Sequence, residues 1–332
     1  FALPELRITT RNFAGSSIGW HATALFEVYS RIINMTRIAH LTDLHLLEPG
    51  YSRRAGVDRY RLLYLSFGRP LNAEARRHRF EMGLSRALNE GVDHILLTGD
   101  MTEDGEPEQY EVLAEVLENY RVDPWRITMI PGNHDIYCHR DAWNWALKGP
   151  LARYAENCRE GALTVLRDAV IKPVYTLTNQ HFTRSAGVIR PEDVLAIDRI
   201  AHDPLTKNRA LIVAQHHPPT AYWAQLHNWI DGLLDDRFMR TLLESDPDLN
   251  VVHGHTHRSA TRRFFGRPHP QVFSAEAATD GDNLVRFYRT RGSRLEVEEP
   301  SGVFDHRIRL EVNGDRRLHY QLYPAQLPGM TS

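Results

Sequence analysis

Five short apolar runs in this chain each end on side chains of the kind that bind metal ions. RIAHL (37–41) leads into Thr42, Asp43, Leu44 and His45, and HILLT (94–98) into Gly99 and Asp100. RITMI (126–130) leads through Pro131 into Gly132, Asn133, His134 and Asp135. ALIVAQ (210–215) runs into His216, His217, Pro218 and Pro219, and NVVH (250–253) into Gly254, His255, Thr256 and His257. A brief apolar run closed by turn-forming polar residues reads as a buried strand. Asp43 and His45 have alternate-residue spacing, as do His255 and His257, so each pair falls on one side of an extended strand end.

Helical patterns separate these runs. Residues 72–90 space Phe80, Leu84, Ala87 and Leu88 along one face, with Asn72 as N-cap and Gly91 as terminator. Residues 107–120 open a helix with Pro107 in its first turn, and PEDVLAIDRIA (191–201) and RFMRTLLES (237–245) precede the fourth and fifth runs. Strand, loop and helix recurring in this order favour a layered α/β architecture. In open α/β sheets ligands collect at the carboxyl ends of strands, so the five polar ends are expected to converge on one place.

From about residue 271 the texture changes. QVFSAEA, NLVRFYRT, RLEVEE, DHRIRLEV and RLHYQLYP read as short strands with turns at Gly281, Gly292 and Asn313-Gly314. No repeat or linker interrupts the chain, so residues 35–325 read as one domain with a β-rich C-terminal section. Residues 1–34 read as an N-terminal extension of uncertain role, lacking the basic, apolar and small-residue zones of a secretory signal. Residues 51–79 hold eight arginines and only two acids and read as a less regular, solvated stretch. The functional alternative is a basic flap that attracts an anionic substrate.

Two carboxylates, an amide oxygen and several imidazoles form a mixed oxygen–nitrogen set suited to Mn, Fe, Co, Ni or Zn. The set lacks the thiolates of a structural zinc site and is too rich in histidine for calcium or magnesium alone. Seven such ligands exceed what one tetrahedral ion takes, which makes two ions the natural count, with Asp100 on the middle strand end able to bridge them. His40, inside the first run, reads as a packed histidine. Asp104 and Asp135 read either as carboxylates orienting a histidine or as solvent-exposed groups, and Cys138 as a small buried side chain. Gly254 reads as the residue that lets the backbone turn tightly between strand and ligands.

The ordered set D-x-H, G-D, G-N-H-D, H-H-P and G-H-x-H, over roughly residues 37–320, resembles the calcineurin-like metallophosphoesterase superfamily, and most closely its bacterial phosphodiesterase branch. That resemblance implies an α/β fold, a layered β-sandwich of two mixed sheets flanked by helices, with the active site at strand carboxyl ends. It implies a first metal held by Asp43, His45, Asp100 and His257, and a second held by Asp100, Asn133, His216 and His255, with His217 competing for the place of His216. His134 corresponds to the histidine beside the leaving group, and His253 has no ligand role. The ions implied are two divalent or trivalent transition metals, Mn, Fe or Zn. The reaction implied is hydrolysis of a small phosphodiester, of the cyclic-nucleotide or glycerophosphodiester type, by hydroxide held between the metals. Phosphomonoesterase or nuclease action on the same centre is the alternative, and a scaffold without metals a more distant one.

Composition bounds the partners. A formal net charge of −2 supplies no extended basic track, so no obligate nucleic-acid polymer is expected. No apolar run reaches the about 18 residues of a transmembrane segment. Two cysteines in 332 residues fit a reducing compartment, giving a cytoplasmic expectation. Oligomeric state is not legible.

Overall fold

A computed structural model describes residues 35–220, 225–264 and 266–298. The expected strands DHRIRLEV and RLHYQLYP and the extension 1–34 lie outside the described residues. Strands β1 (Arg37–Leu41), β2 (His94–Thr98), β3 (Ile127–Ile130), β4 (Thr164–Val165), β5 (Ala169–Pro173) and β6 (Ala210–Gln215) are followed by β7 (Asn250–His253), β8 (Ala260–Arg262), β9 (Val272–Ser274), β10 (Arg286–Arg291) and β11 (Arg294–Glu298). Helices α1 (Gly56–Leu65), α2 (Ala73–Asn89), α3 (Pro107–Asn119), α4 (Ala142–Lys148), α5 (Ala155–Cys158), α6 (Pro191–Ala201), α7 (Gln225–Asp231) and α8 (Asp236–Ser245) lie between them.

The strands form two mixed sheets, ordered β11-β10-β1-β2-β3 and β4-β5-β6-β7-β9-β8. In the first, β1, β2 and β3 are parallel while β10 runs antiparallel to β1. In the second, β5, β6, β7 and β9 are parallel with antiparallel β4 and β8 at the edges. Parallel pairing sends β1, β2 and β3 out at one edge, and β6 and β7 out together at one edge of the other sheet.

Side-chain alternation fixes the layers. Ile38, Leu96 and Ile130 of the first sheet pack against Ile212, Ala214, Val252 and Phe273 of the second. Their sequence neighbours Ala39, Leu41, Ile95 and Leu97 point the other way, onto Phe80 and Leu84 of α2 and Leu113 and Leu117 of α3. Leu211, Val213 and Val251 face outward from the second sheet onto Ile197 of α6 and Met239 and Leu243 of α8. Helix, sheet, sheet and helix thus stack in four layers, with the parallel strands β1, β2, β3, β5, β6 and β7 buried on both faces as continuous apolar runs require.

The local signals hold where they are strong. Asn72 accepts a hydrogen bond from the Ala75 N–H at 2.9 Å, α2 ends before Gly91 at φ +65°, and Pro107 opens α3. The segment expected to be irregular contains α1, a regular helix. Its apolar residues mark no single face, which is why periodicity does not reveal it. Strands β4 and β8, at two and three residues, are too short to carry a pattern. Among the described residues no helix is long and apolar enough to cross a membrane.

Leu96 sits at 0% exposure between the two sheets. Leu96→Ala is expected to lower unfolding free energy by about 2–5 kcal/mol, the range for a buried leucine whose cavity cannot close. Urea titration followed by circular dichroism measures it; a loss under about 1 kcal/mol would mean the sheets do not interlock at this point.

Candidate metal centre

The loops leaving the strands hold unusual backbone. Among the described residues seven non-glycine positions have positive φ, and five of these are Asp43 (53°), His45 (46°), Asp100 (49°), His255 (66°) and His257 (53°). Left-handed backbone costs an L-residue roughly 1–3 kcal/mol and persists only where surroundings over-determine it. Here a ladder of backbone bonds does so. Asp43 N–H donates to Gly99 O at 3.1 Å, His45 N–H to Asp100 O at 2.9 Å, and Gly254 N–H to His216 O at 3.1 Å. The conformation turns the side chains of both sheets toward a common centre.

All eight sequence-predicted residues lie around it. His216 Nε2 is 3.3 Å from Asp100 Oδ2, 3.1 Å from Asn133 Oδ1 and 3.2 Å from His255 Nδ1. His257 Nε2 is 3.4 Å from Asp43 Oδ1, and His45 Nε2 and His134 Nε2 each lie 4.0 Å from Asp100 Oδ2. Donor atoms of Asp43, His45 and His257, and of Asp43, Asp100 and His216, lie within 4.8 Å of one another.

The chemistry of these donors fits cations. Asp43 and Asp100 are almost fully buried, and their ion-pair partners among the described residues are imidazoles alone. Asp43 Oδ1 is buried without any hydrogen-bond partner. Burial raises the pKa of both carboxyls, but the surrounding histidines pull them lower still, so both stay ionised. His216 Nδ1 donates to Thr98 O at 2.7 Å, which turns Nε2 and its lone pair toward the two oxygens and His255. Electron-rich atoms converging at such spacing call for positive charge between them. Burial pulls His216 down, yet the Asp100 carboxylate raises it to about 9, so that without a cation a proton fills the role.

Comparison with known proteins places the chain in a family. The family model for calcineurin-like phosphoesterases matches residues 36–259. The chain belongs to the calcineurin-like phosphoesterase family. A 3',5'-cyclic-nucleotide phosphodiesterase of Nostoc sp. is 24% identical over 231 residues, covering 68% of this chain and 73% of the relative. A probable cyclic nucleotide phosphodiesterase of Pseudoalteromonas sp. is 24% identical over 239 residues, 69% of this chain and 74% of the relative. Among solved structures, a dimetal phosphatase from Danio rerio superposes with a TM-score of 0.54 at 11% identity, over 79% of this chain and 98% of that one. That likeness shows the fold.

Beyond the family motifs, several residues at the centre escaped sequence reasoning. Glu103, fully buried, lies with Oε2 at 3.4 Å from His45 Nδ1, and its backbone carbonyl accepts from His134 Nδ1–H at 2.6 Å. Arg69 donates from Nη1 to His45 Nε2 at 2.8 Å. Asp231 Oδ1 lies 3.0 Å from His255 Nε2, and the Tyr137 hydroxyl accepts from Asn133 Nδ2 at 2.7 Å, which aims Asn133 Oδ1 at the centre. Their partners lie 4 to 58 positions away, so no local pattern marks them.

Other expectations are corrected. Asp135 neither orients a histidine nor meets solvent: buried, it accepts from Thr102 N–H at 2.8 Å and Gly132 N–H at 2.8 Å, tying two strand-end loops together. Asp104 is buried against Arg54 at 2.7 Å and Arg61 at 2.8 Å. Arg54, Arg61, Arg69 and Arg76 have side chains at most 10% exposed, so these four point inward and form no free basic flap, whereas Arg53, Arg59 and much of the stretch around them are solvent-exposed as expected. Cys138 is half-buried and donates to Glu106 Oε1 at 2.9 Å. His217 has both nitrogens in hydrogen bonds, Nδ1 with Thr176 Oγ1 at 2.7 Å and Nε2 with Ser185 O at 2.9 Å, although one of them lies within 4.8 Å of donor atoms of His216 and His255. His40 packs between the sheets, bonded to Tyr288 Oη at 3.1 Å and Thr98 Oγ1 at 2.6 Å.

Gly254 is also explained differently. Its φ is not positive; the left-handed residues are the histidines after it. A Cβ at Gly254 would meet Thr42 Oγ1 at 2.0 Å and Asp43 Oδ2 at 2.9 Å. Glycine is required because the two sheets touch here. Gly254→Ala is expected to destabilise by about 1–3 kcal/mol and weaken retention of added Mn²⁺. Gly50→Ala, where nothing lies within 4 Å, is the control. Denaturation midpoints with and without chelator test the pair, and equal behaviour of the two variants would refute the close-contact explanation.

Proposed function

We propose that this protein is a dinuclear metal-dependent phosphodiesterase acting on small phosphodiesters. The observation that carries the reading is the convergence of seven donors and His134 from five strand ends on one buried centre. In this reading Asp43, His45, Asp100 and His257 hold the first ion, and Asp100, Asn133, His216 and His255 the second. Asp100 is central: its carboxylate has His216, His45 and His134 around it, and Oδ1 accepts the His134 N–H at 2.9 Å. The orientation of His216, with Nδ1 fixed on Thr98, supports it over His217 as the ligand. When bound, two first-row ions supply charge neutralisation for the phosphoryl group and lower the pKa of water at the centre.

The remaining chemistry belongs to side chains. His134 donates from Nδ1 to the Glu103 carbonyl, so the ring is fixed and Nε2 faces the centre. That nitrogen is the group positioned to pass a proton to a departing alkoxide. Burial lowers its pKa below the usual imidazole value, and the Asp100 carboxylate opposes part of that drop. Glu103 and Asp231 hold His45 and His255 from behind, as carboxylates commonly do for ligand imidazoles. No nucleophilic side chain is needed.

The diester preference draws support from the two relatives described as cyclic-nucleotide phosphodiesterases. Exposed Tyr60 and Tyr64 form an aromatic cluster with half-buried Phe182, the Tyr64 and Phe182 ring centroids lying 5.5 Å apart. Phe182 lies two residues before Arg184, whose carbonyl accepts from Tyr137 Oη, so this cluster borders the His134 side. Planar rings suit an organic leaving group better than water-like surroundings do.

Asp100→Ala is expected to lose both ions by elemental analysis and all measurable turnover; a variant that keeps two metals and substantial rate contradicts the shared-ligand arrangement. His134→Ala is expected to keep its metals but slow turnover by ~10²–10⁴, most for poor leaving groups. Unchanged rates on a poor leaving group would remove His134 from proton transfer. Substrate class is tested with bis-p-nitrophenyl phosphate, p-nitrophenyl phosphate, cyclic nucleotides and glycerophosphodiesters, each with Mn²⁺ and with chelator. A monoester rate exceeding every diester rate would overturn the diesterase reading.

A further inference from the structure

Arg69 stands apart from the other inward-pointing arginines of its segment. Arg54 is held by Glu48 at 2.6 Å and Asp104 at 2.7 Å, and Arg61 by Asp104 at 2.8 Å and Glu106 at 2.9 Å. Arg76 directs its donors to Glu103, His45 O, Pro70 O and Ser66 Oγ. Arg69 uses only Nη2 on oxygen acceptors, at Leu65 O and at Glu103 Oε1, 2.9 Å away. Its Nη1 donates to the neutral ring of His45, and its Nε is buried with no hydrogen-bond partner. The side chain is only 10% exposed. A guanidinium that is nine-tenths buried with donors spare is costly unless an acceptor arrives.

The neighbours say where that acceptor would sit. His45 is fully buried, and its Nε2 can accept from the Arg69 guanidinium only as a lone pair, so the ring is neutral in this arrangement. Because Arg69 donates to Nε2, the ring proton is on Nδ1, facing Glu103. Nε2 is also the nitrogen turned toward Asp100. The lone pair that a cation would take is therefore the one that Arg69 now occupies. Glu103 does not depend on Arg69 for neutralisation, since Arg76 pairs with its other oxygen and Ser66 donates to it as well.

We infer that Arg69 binds the anionic oxygen of the substrate's phosphoryl group, covering the His45 lone pair only while no cation is there. This rests on the two-metal reading above. When a cation takes Nε2, the Nη1 donors lose their acceptor but remain tethered through Nη2 to Glu103. A phosphoryl oxygen at the same centre then satisfies them with a charge-assisted bond, stronger than the one lost. The glycine-to-arginine stretch 68–69 thus contributes to the site although none of the metal-binding motifs includes it.

The test uses Arg69→Met and Arg69→Lys in the full chain, loaded with Mn²⁺. Metal content, Mn²⁺ affinity, inhibition by orthophosphate, and kcat and KM on bis-p-nitrophenyl phosphate are measured for each. The expected result for Arg69→Met is full metal content, Mn²⁺ affinity equal to or tighter than that of the parent, kcat/KM lower by ~10²–10³ and orthophosphate inhibition weaker by about tenfold or more. Arg69→Lys, keeping a charge without the fork, is expected to recover part of the loss. Values of kcat/KM and orthophosphate inhibition within about threefold of the parent overturn the assignment. So does a loss of activity in proportion to lost metal, or failure of both variants to fold, since each makes Arg69 a support for Glu103 alone. Absence of phosphoester hydrolysis by the parent would refute the proposed function, while orthophosphate binding to the loaded variants would still decide the role of Arg69.

Discussion

Two carboxylates buried where the edges of two sheets meet govern the rest of this structure. Asp43 and Asp100 sit at 0% and 2% exposure, and neither touches a lysine or arginine among the described residues. Ionised groups in that setting are tolerated only with compensating charge and donors. The fold provides both within a few ångströms: N–H groups of His134 and His255, the hydroxyl of Thr42, and imidazoles from four loops. The left-handed backbone at Asp43, His45, Asp100, His255 and His257 follows from the same demand, because an ordinary exit from the strand would not bring these groups together. Local strain is thus exchanged for a charge arrangement that none of the loops could build alone.

A second layer of charge holds the first in place. Glu103 receives Arg69, Arg76 and Ser66 and faces His45. Asp104 receives Arg54 and Arg61, while Gln109 of α3 bridges Asp104 and Glu48. Buried ion pairs add little net stability compared with apolar packing, but they demand one geometry and penalise alternatives. Here they fasten α1 and the start of α2 onto the loops after β1 and β2. These helices belong to none of the motifs yet help determine where the His45 ring can point.

The parts legible in the sequence were those written in local patterns. Five apolar runs with polar ends, the N-cap at Asn72 and the proline at position 107 each report on backbone within a few residues, and the strands and helices appear where those signals put them. The metal-type residues were legible because they directly follow strands whose common direction is fixed by parallel pairing. What was hidden depends on long-range contacts. Arg69 to His45 spans 24 positions and Asp231 to His255 spans 24, and in neither case does the intervening sequence indicate a turn back. Gly254 shows the same limit from another side. Its identity was readable as a special position, but the reason is the oxygen of Thr42, a residue more than 200 positions earlier.

The division of donors between the sheets bears on stability as well as chemistry. Asp43, His45, Asp100 and Asn133 leave the first sheet, whereas His216, His255 and His257 leave the second. On the proposed assignment each ion is held from both sides: His257 joins three donors of the first sheet, and His216 and His255 join Asp100 and Asn133. A cation so placed links the two sheets across an edge where His216 meets Asp100 at 3.3 Å and His257 meets Asp43 at 3.4 Å. Ligand binding to the native state stabilises it by about 2.7 kcal/mol at a hundredfold excess over Kd. That is comparable with a buried leucine in the apolar core between the same sheets. The interior of the sandwich and its polar edge are therefore two halves of one interface, the first closed by hydrophobic packing and the second by charge, and on the proposed assignment the donors of the centre are also the groups that keep the edge shut.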